Sequence, residues 1–192
     1  MAQTPSTMRS LGSPAPDFTL EDAAGGGTVS RGDFAGRPLL VMFICNHCPF
    51  VVHVRREFAR IEADYAPRGL AIVAINSNSE RSHPQDGPAH MAALARAEGW
   101  GFPFLFDRTQ AVAKAYRAAC TPDFFLFDAA HHLAYRGQLD GSRPGNSVPT
   151  TGADLRAAIE TVLAGGRPDE NQAPSIGCNI KWERGNEPDY FG

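Results

Sequence analysis

Leu39-Leu40-Val41-Met42-Phe43-Ile44-Cys45-Asn46-His47-Cys48-Pro49 is the stretch on which the fold turns. The apolar run from Leu39 to Ile44 reads as a short strand buried on both faces. After it the period changes. Val51, Val54, Phe58, Ile61 and Tyr65 recur at steps of three and four, which predicts a helix over residues 47–65. Two thiols therefore fall where a buried strand passes into the first turn of a helix. Unpaired amides and the positive end of the helix dipole favour an anion at such a place. A thiolate is that anion, and it is the reactive form of cysteine. The two-residue spacer lets the second sulfur close a disulfide with the first, so the pattern predicts redox chemistry.

A competing reading is half of a zinc site, or two buried apolar cysteines. A zinc ribbon needs a second pair of close ligands. Cys120 and Cys178 are far apart in sequence, and Cys48 with His53 has no finger spacing. The strand–CxxC–helix context favours the redox reading.

With 192 residues, the chain is long enough for a single domain with a sizeable core. Its 43% hydrophobic and 20% charged residues are ordinary for a globular protein. A formal charge of −3 with dispersed Lys and Arg argues against nucleic acid or an anionic membrane as partner. No apolar run approaches the ~20 residues of a membrane helix. The polar start, Met1–Pro16, lacks the apolar segment of a signal peptide. Four cysteines without an export signal predict a cytoplasmic protein with catalytic rather than structural thiols.

Along the chain, residues 1–12 read as a flexible tail, 13–166 as the domain, and 167–192 as an extended C-terminal tail packing on it. Phe18-Thr19-Leu20 and Thr28-Val29-Ser30 flank a glycine turn and predict a hairpin. Leu70–Ile75 is a second buried strand, and Asn76–Pro88 is a polar loop. Helices are expected over 89–98 and 109–119, with a short strand at 102–106 between them. Phe124–Phe127 and Leu133–Gly137 form a second hairpin around His131-His132. Leu155, Ala158, Ile159, Val162 and Leu163 are the apolar stripe of a last helix, closed by Gly165-Gly166. This alternation is an α/β fold with a mixed sheet.

At this point the chain resembles the thioredoxin superfamily in its peroxiredoxin-like (AhpC/TSA-type redoxin) branch. The residues that carry the likeness are Ala15-Pro16-Asp17-Phe18-Thr19-Leu20, the CxxC after the first central strand, the helix–strand insertion at 89–106, and Thr121-Pro122 before Asp123–Asp128. The tail Ser175–Trp182 also resembles the ends of a bacterial subgroup of such proteins. The resemblance implies a thioredoxin-like fold: a central mixed sheet flanked by helices, with an N-terminal hairpin extension and a helix–strand insertion. It implies a cis bond before Pro122, facing the CxxC, with Thr121 and Asn46 contacting substrate. It also implies a thiol–disulfide oxidoreductase in which Cys45, with the more exposed sulfur, is the nucleophile and Cys48 resolves the mixed disulfide. A protonated His47 would stabilise the Cys45 thiolate and weaken the pair as a reductant. No cofactor or metal is implied; the partners are a protein or small-molecule disulfide and a thiol reductase, with the protein itself a monomer or homodimer.

Two departures mark this chain. Ile44 stands where thioredoxins carry Trp, and Leu39–Ile44 holds no carboxylate, so a proton relay must come from loop acids such as Glu80, Asp86 or Asp123. The peroxidase pattern PxxxTxxC finds no Thr in either register, which disfavours a peroxidase of that mechanism; Arg136 and Arg143 are stand-ins for its Arg. Cys120 and Cys178 are candidate auxiliary thiols. Cys120 is an auxiliary thiol or an inert buried residue, and Cys178 is either an exposed bystander or a third redox partner, the tail then lying in the active-site groove and Cys178 exchanging with Cys45 or Cys120. The alternatives are a thiol-dependent peroxidase, a copper-binding protein using the two thiols and a distant His, and a non-catalytic binding module using the groove by Pro122.

Overall fold

The computed structural model describes residues 3–191. In chain order the first elements are β1 (Gln3–Pro5), β2 (Thr19–Asp22), β3 (Thr28–Ser30), β4 (Leu39–Phe43), α1 (Pro49–Tyr65), β5 (Ala71–Asn76) and α2 (Pro88–Glu98). Then come β6 (Phe104–Phe106), α3 (Ala111–Tyr116), β7 (Cys120–Thr121), β8 (Asp123–Phe127), β9 (Leu133–Gly137), α4 (Ala153–Leu163) and β10 (Ile176–Asn179). A seven-stranded mixed sheet runs in the order β3-β2-β6-β5-β4-β8-β9. Its centre is β4, parallel to β5 and antiparallel to β8.

Every residue of β4, β5 and β8 is buried, which explains why these strands read as continuous apolar runs. Strand alternation sorts β4 between two cores. Leu40, Met42 and Ile44 pack with α1, α2 and α4 through Phe58, Ile61, Met91 and Leu155. Leu39, Val41 and Phe43 pack on the other face with Tyr116, Phe125 and Phe127. The Glu57–Arg156 ion pair, 2.6 Å, ties α1 to α4 where Glu57 is only 3% exposed. Among the described residues, no helix is long and apolar enough to cross a membrane.

Three expectations change. Residues 3–12 are not a flexible tail: β1 pairs with β10, Ser6 Oγ donates to buried Asp123 at 2.8 Å, and Gly12 N donates to Leu133 O at 2.8 Å. An edge strand and a buried carboxylate, both remote in sequence, supply the partners. The helix expected over 109–119 stops at Tyr116. Arg117 turns left-handed at φ +55° and the amides of Arg117 and Ala118 close back on Lys114 O and Ala113 O. Helix α1 begins at Pro49 rather than 47, because proline suits the first helical position, where its missing N–H costs no hydrogen bond.

Candidate active site

The CxxC turn is built on two loops that leave the same end of the sheet. Asn76-Ser77-Asn78 closes β5, and the following loop returns Asp86 beneath the motif. Asp86 is fully buried. Its Oδ1 accepts the amides of Asn46 (2.9 Å) and His47 (3.3 Å). Its Oδ2 accepts His47 Nδ1 at 2.6 Å and Asn78 Nδ2 at 2.8 Å, while Asn76 Nδ2 holds its backbone carbonyl at 2.7 Å. Asn46 Nδ2 donates to Gln85 O at 2.9 Å, which fixes the spacer to the same loop. The His83 ring stacks on His47 with centroids 4.9 Å apart. The acid absent from the strand before the cysteines is therefore supplied by a loop. Of the three loop acids only Asp86 reaches the spacer: Glu80 pairs with Arg108, and Asp123 binds Ser6.

Opposite the pair, the Thr121–Pro122 bond is cis, as expected. Thr121 touches both sulfurs: its Oγ1 lies 3.4 Å from Cys45 Sγ, and its carbonyl accepts the Cys48 thiol at 3.1 Å. All four cysteines are buried thiols. This corrects the expectation of an exposed Cys45, which is 0% exposed like Cys48. It also moves the helix N-cap, which is Cys48 (φ −65°, ψ 124°). The charge follows the helix. A hydrogen bond from the Cys45 thiol, with the neighbouring Cys178 and Thr121 side chains, outweighs burial and lowers Cys48 to about 4. The same bond to Cys48, burial and the Asp86 carboxylate push the Cys45 thiol well up. The direction of the two shifts favours charge on Cys48 over Cys45 when the pair loses a proton. His47 Nδ1 pairs directly with the Asp86 carboxylate.

Cys120 points away from this cluster, on the opposite side of β7 from Thr121. Its thiol donates to Pro122 O at 3.6 Å, and complete burial with Asp123 nearby raises it. Cys178 lies beside the pair instead, buried rather than exposed and against Cys48 rather than Cys45 or Cys120. Its β10 lies along β7 with Cys178 opposite Thr121, and it belongs to the apolar cluster of Cys45 and Cys48. Burial and its bond to Cys48 raise this thiol to about 12. Asn78, Ser6 and Ser175 carried no signal in the sequence, since polar loop residues announce neither burial nor partner. For a metal, Cys45, His47 and Asp86 offer ligand atoms within 4.8 Å of one another, although the His47–Asp86 hydrogen bond already occupies two of them. Buried His131, in the turn of the second hairpin, is paired with Arg31 and not with the thiols.

Known proteins share this frame. Solved thioredoxin-fold structures at 18–21% identity superpose with TM-scores of 0.56–0.61, so the fold is thioredoxin-like. A solved Sinorhizobium meliloti protein described as hypothetical, SMc02350, is 51% identical, with a TM-score of 0.92 over 95% of this chain and 100% of that one. A Mycobacterium tuberculosis protein with the provisional name peroxiredoxin MT2597 is 32% identical over 116 residues, 60% of this chain and 68% of its own. The thiol-disulfide oxidoreductase ResA of Geobacillus kaustophilus is 28% identical over 128 residues, 65% of this chain and 67% of its own. The AhpC/TSA family pattern matches residues 11–136, a span holding the strand, the thiol pair and the cis-proline loop just described, and the chain belongs to that family of redox proteins.

Proposed function

We propose that this protein is a thiol–disulfide oxidoreductase whose working centre is the Cys45–Cys48 pair. The observation that carries the reading is the contact of two buried thiols at a helix N-terminus, both touching the residue that precedes Pro122. Cys48 holds the charge and attacks a disulfide; the electron pair of the broken S–S bond leaves with the first substrate sulfur. Cys45 then attacks Cys48 Sγ, releases the second substrate thiolate, and leaves a Cys45–Cys48 disulfide. Its proton passes towards the His47–Asp86 pair, whose ligand atoms lie within 4.8 Å of the sulfur. This order reverses the one expected from the resemblance, because the N-cap is Cys48. Substrate contacts fall to Thr121 and to Asn46, whose Oδ1 is buried without a hydrogen-bond partner. A thiol reductase regenerates the dithiol, and the expected compartment is the cytoplasm.

The test is mixed-disulfide trapping with a disulfide-bearing peptide, in protein carrying Cys120→Ser and Cys178→Ser. Adding Cys45→Ser leaves a stable adduct at Cys48, whereas adding Cys48→Ser leaves almost none. An adduct that accumulates only on Cys45 reverses the order of attack. Wild-type protein that forms no Cys45–Cys48 disulfide in any glutathione buffer removes the oxidoreductase reading.

A further inference from the structure

The edge of β7 beside Pro122 is the edge expected for an extended substrate, and β10 fills it. Cys178 pairs with Thr121 and Asn179 with Cys120, antiparallel. The fit is close at the backbone. A Cβ on Gly177 would stand 2.0 Å from Thr121 O and 2.6 Å from its carbonyl carbon, so only glycine allows this approach. Ser175 Oγ donates to Pro122 O at 2.6 Å, Ile180 N to Ala119 O at 3.1 Å, and Lys181 N to Asn78 Oδ1 at 2.8 Å. The far edge of β10 is covered by β1. Directly opposed residues of an antiparallel pair place their Cβ atoms about 4.5–5.5 Å apart on one face. Thr121 therefore gathers three sulfurs: Cys45 and Cys48 from the helix side and Cys178 from the strand. The Cys178 thiol hydrogen bonds to Cys48 and is 2% exposed.

We propose that Cys178 is a third redox thiol, presented to Cys48 by a C-terminal strand that takes the place of an extended substrate. The proposal rests on the Cys45–Cys48 pair being redox-active. Once a substrate disulfide has oxidised that pair, the Cys178 thiolate attacks Cys48 Sγ. The Cys48–Cys178 bond forms, the Cys45–Cys48 bond breaks, and its electron pair leaves with the Cys45 sulfur. Cys45 takes up the proton that Cys178 gave up, so the oxidation state of the protein does not change and no further oxidant is needed. The product holds Cys45 as a thiol and ties β10 covalently into the edge that it already fills, until an external thiol cleaves the bond.

Disulfide mapping after oxidation with glutathione disulfide tests this on the full chain. Trypsin leaves Cys45 and Cys48 together on fragment 32–55 and Cys178 on fragment 157–181, so the two disulfides differ as an internal bond and a cross-link. Wild type gives both, Cys45→Ser gives the cross-link as its main product, and Gly177→Val, which expels the strand, loses most of it. An internal Cys45–Cys48 bond in wild type, with no cross-link there or in Cys45→Ser, overturns the third thiol and leaves the pair standing. No disulfide at all overturns both. Should Gly177→Val fail to fold, Cys45→Ser decides by itself.

Discussion

Replacing Asp86 by Asn removes one charge and almost no volume. The carboxylate oxygen lies within 4.8 Å of Cys45 Sγ. At that separation a unit charge acts on a thiolate with about 3.5 kcal/mol at an effective dielectric near 20, or about 2.5 pH units. His47, 2.6 Å from the same carboxylate, offsets part of that, so we expect a fall of about 1–2 units in Asp86→Asn. The direction follows from the charge: without the carboxylate the Cys45 thiolate loses a repulsive neighbour and forms at lower pH. The assay is the pH dependence of iodoacetamide alkylation with Cys48, Cys120 and Cys178 all changed to Ser, so that only Cys45 reports. The new amide keeps an acceptor for the amides of Asn46 and His47 but turns an N–H towards Asn78 Nδ2. That buried donor clash costs about 1–3 kcal/mol, read as a lower urea midpoint. A folded Asp86→Asn protein whose alkylation midpoint stays put or rises refutes the assignment of Asp86 as one of the groups that raise the Cys45 thiol.

Burial raises Asp123 from its ordinary 3.8 to about 7, so the fold binds its proton more tightly than the unfolded chain. That stabilisation is complete below about pH 4 and fades as pH rises to about 7, at no more than about 1.4 kcal/mol per unit; urea midpoints across pH 4–8 fall with pH in wild type and flatten in Asp123→Asn. Arg156→Ala strands Glu57, 3% exposed, with only Arg60 3.2 Å away, and is expected to cost about 3–5 kcal/mol in urea unfolding, a loss that Arg156→Lys partly restores.

Much of this molecule is legible before any coordinates. The run Leu39–Ile44 is buried on both faces, so its apolar residues have no polar alternation to hide them, and β4 falls where the pattern put it. The stripe from Val51 to Tyr65 faces the core as its period requires, with Val51, Val54, Phe58, Ile61 and Tyr65 all buried. The hairpin at Phe124–Gly137 and the last helix were equally plain, since hydrophobic spacing records which face a local element turns inward. The ends of the chain were not. Gln3–Pro5 and Ile176–Asn179 are short and weakly patterned, and each becomes a strand because the other, and β7, offers an edge. Pairing between segments so far apart along the chain leaves no local period to read.

The candidate site divides along the same line. The placing of Cys45 and Cys48 between a buried strand and a helix was readable from their spacing, because a strand–turn–helix passage is a local event, whereas Thr121-Pro122 came from the family resemblance. What surrounds the two sulfurs, which acid lies under the spacer and how near Cys178 comes depended on tertiary structure. Pro49 at the first helical position sets the cap at Cys48, the loop after β5 brings Asp86 under the spacer, and the glycine at 177 lets a remote strand close on Thr121. A sequence records the preference of each residue for its neighbours along the chain. The balance of charge in a buried cluster is decided by groups that only folding makes neighbours.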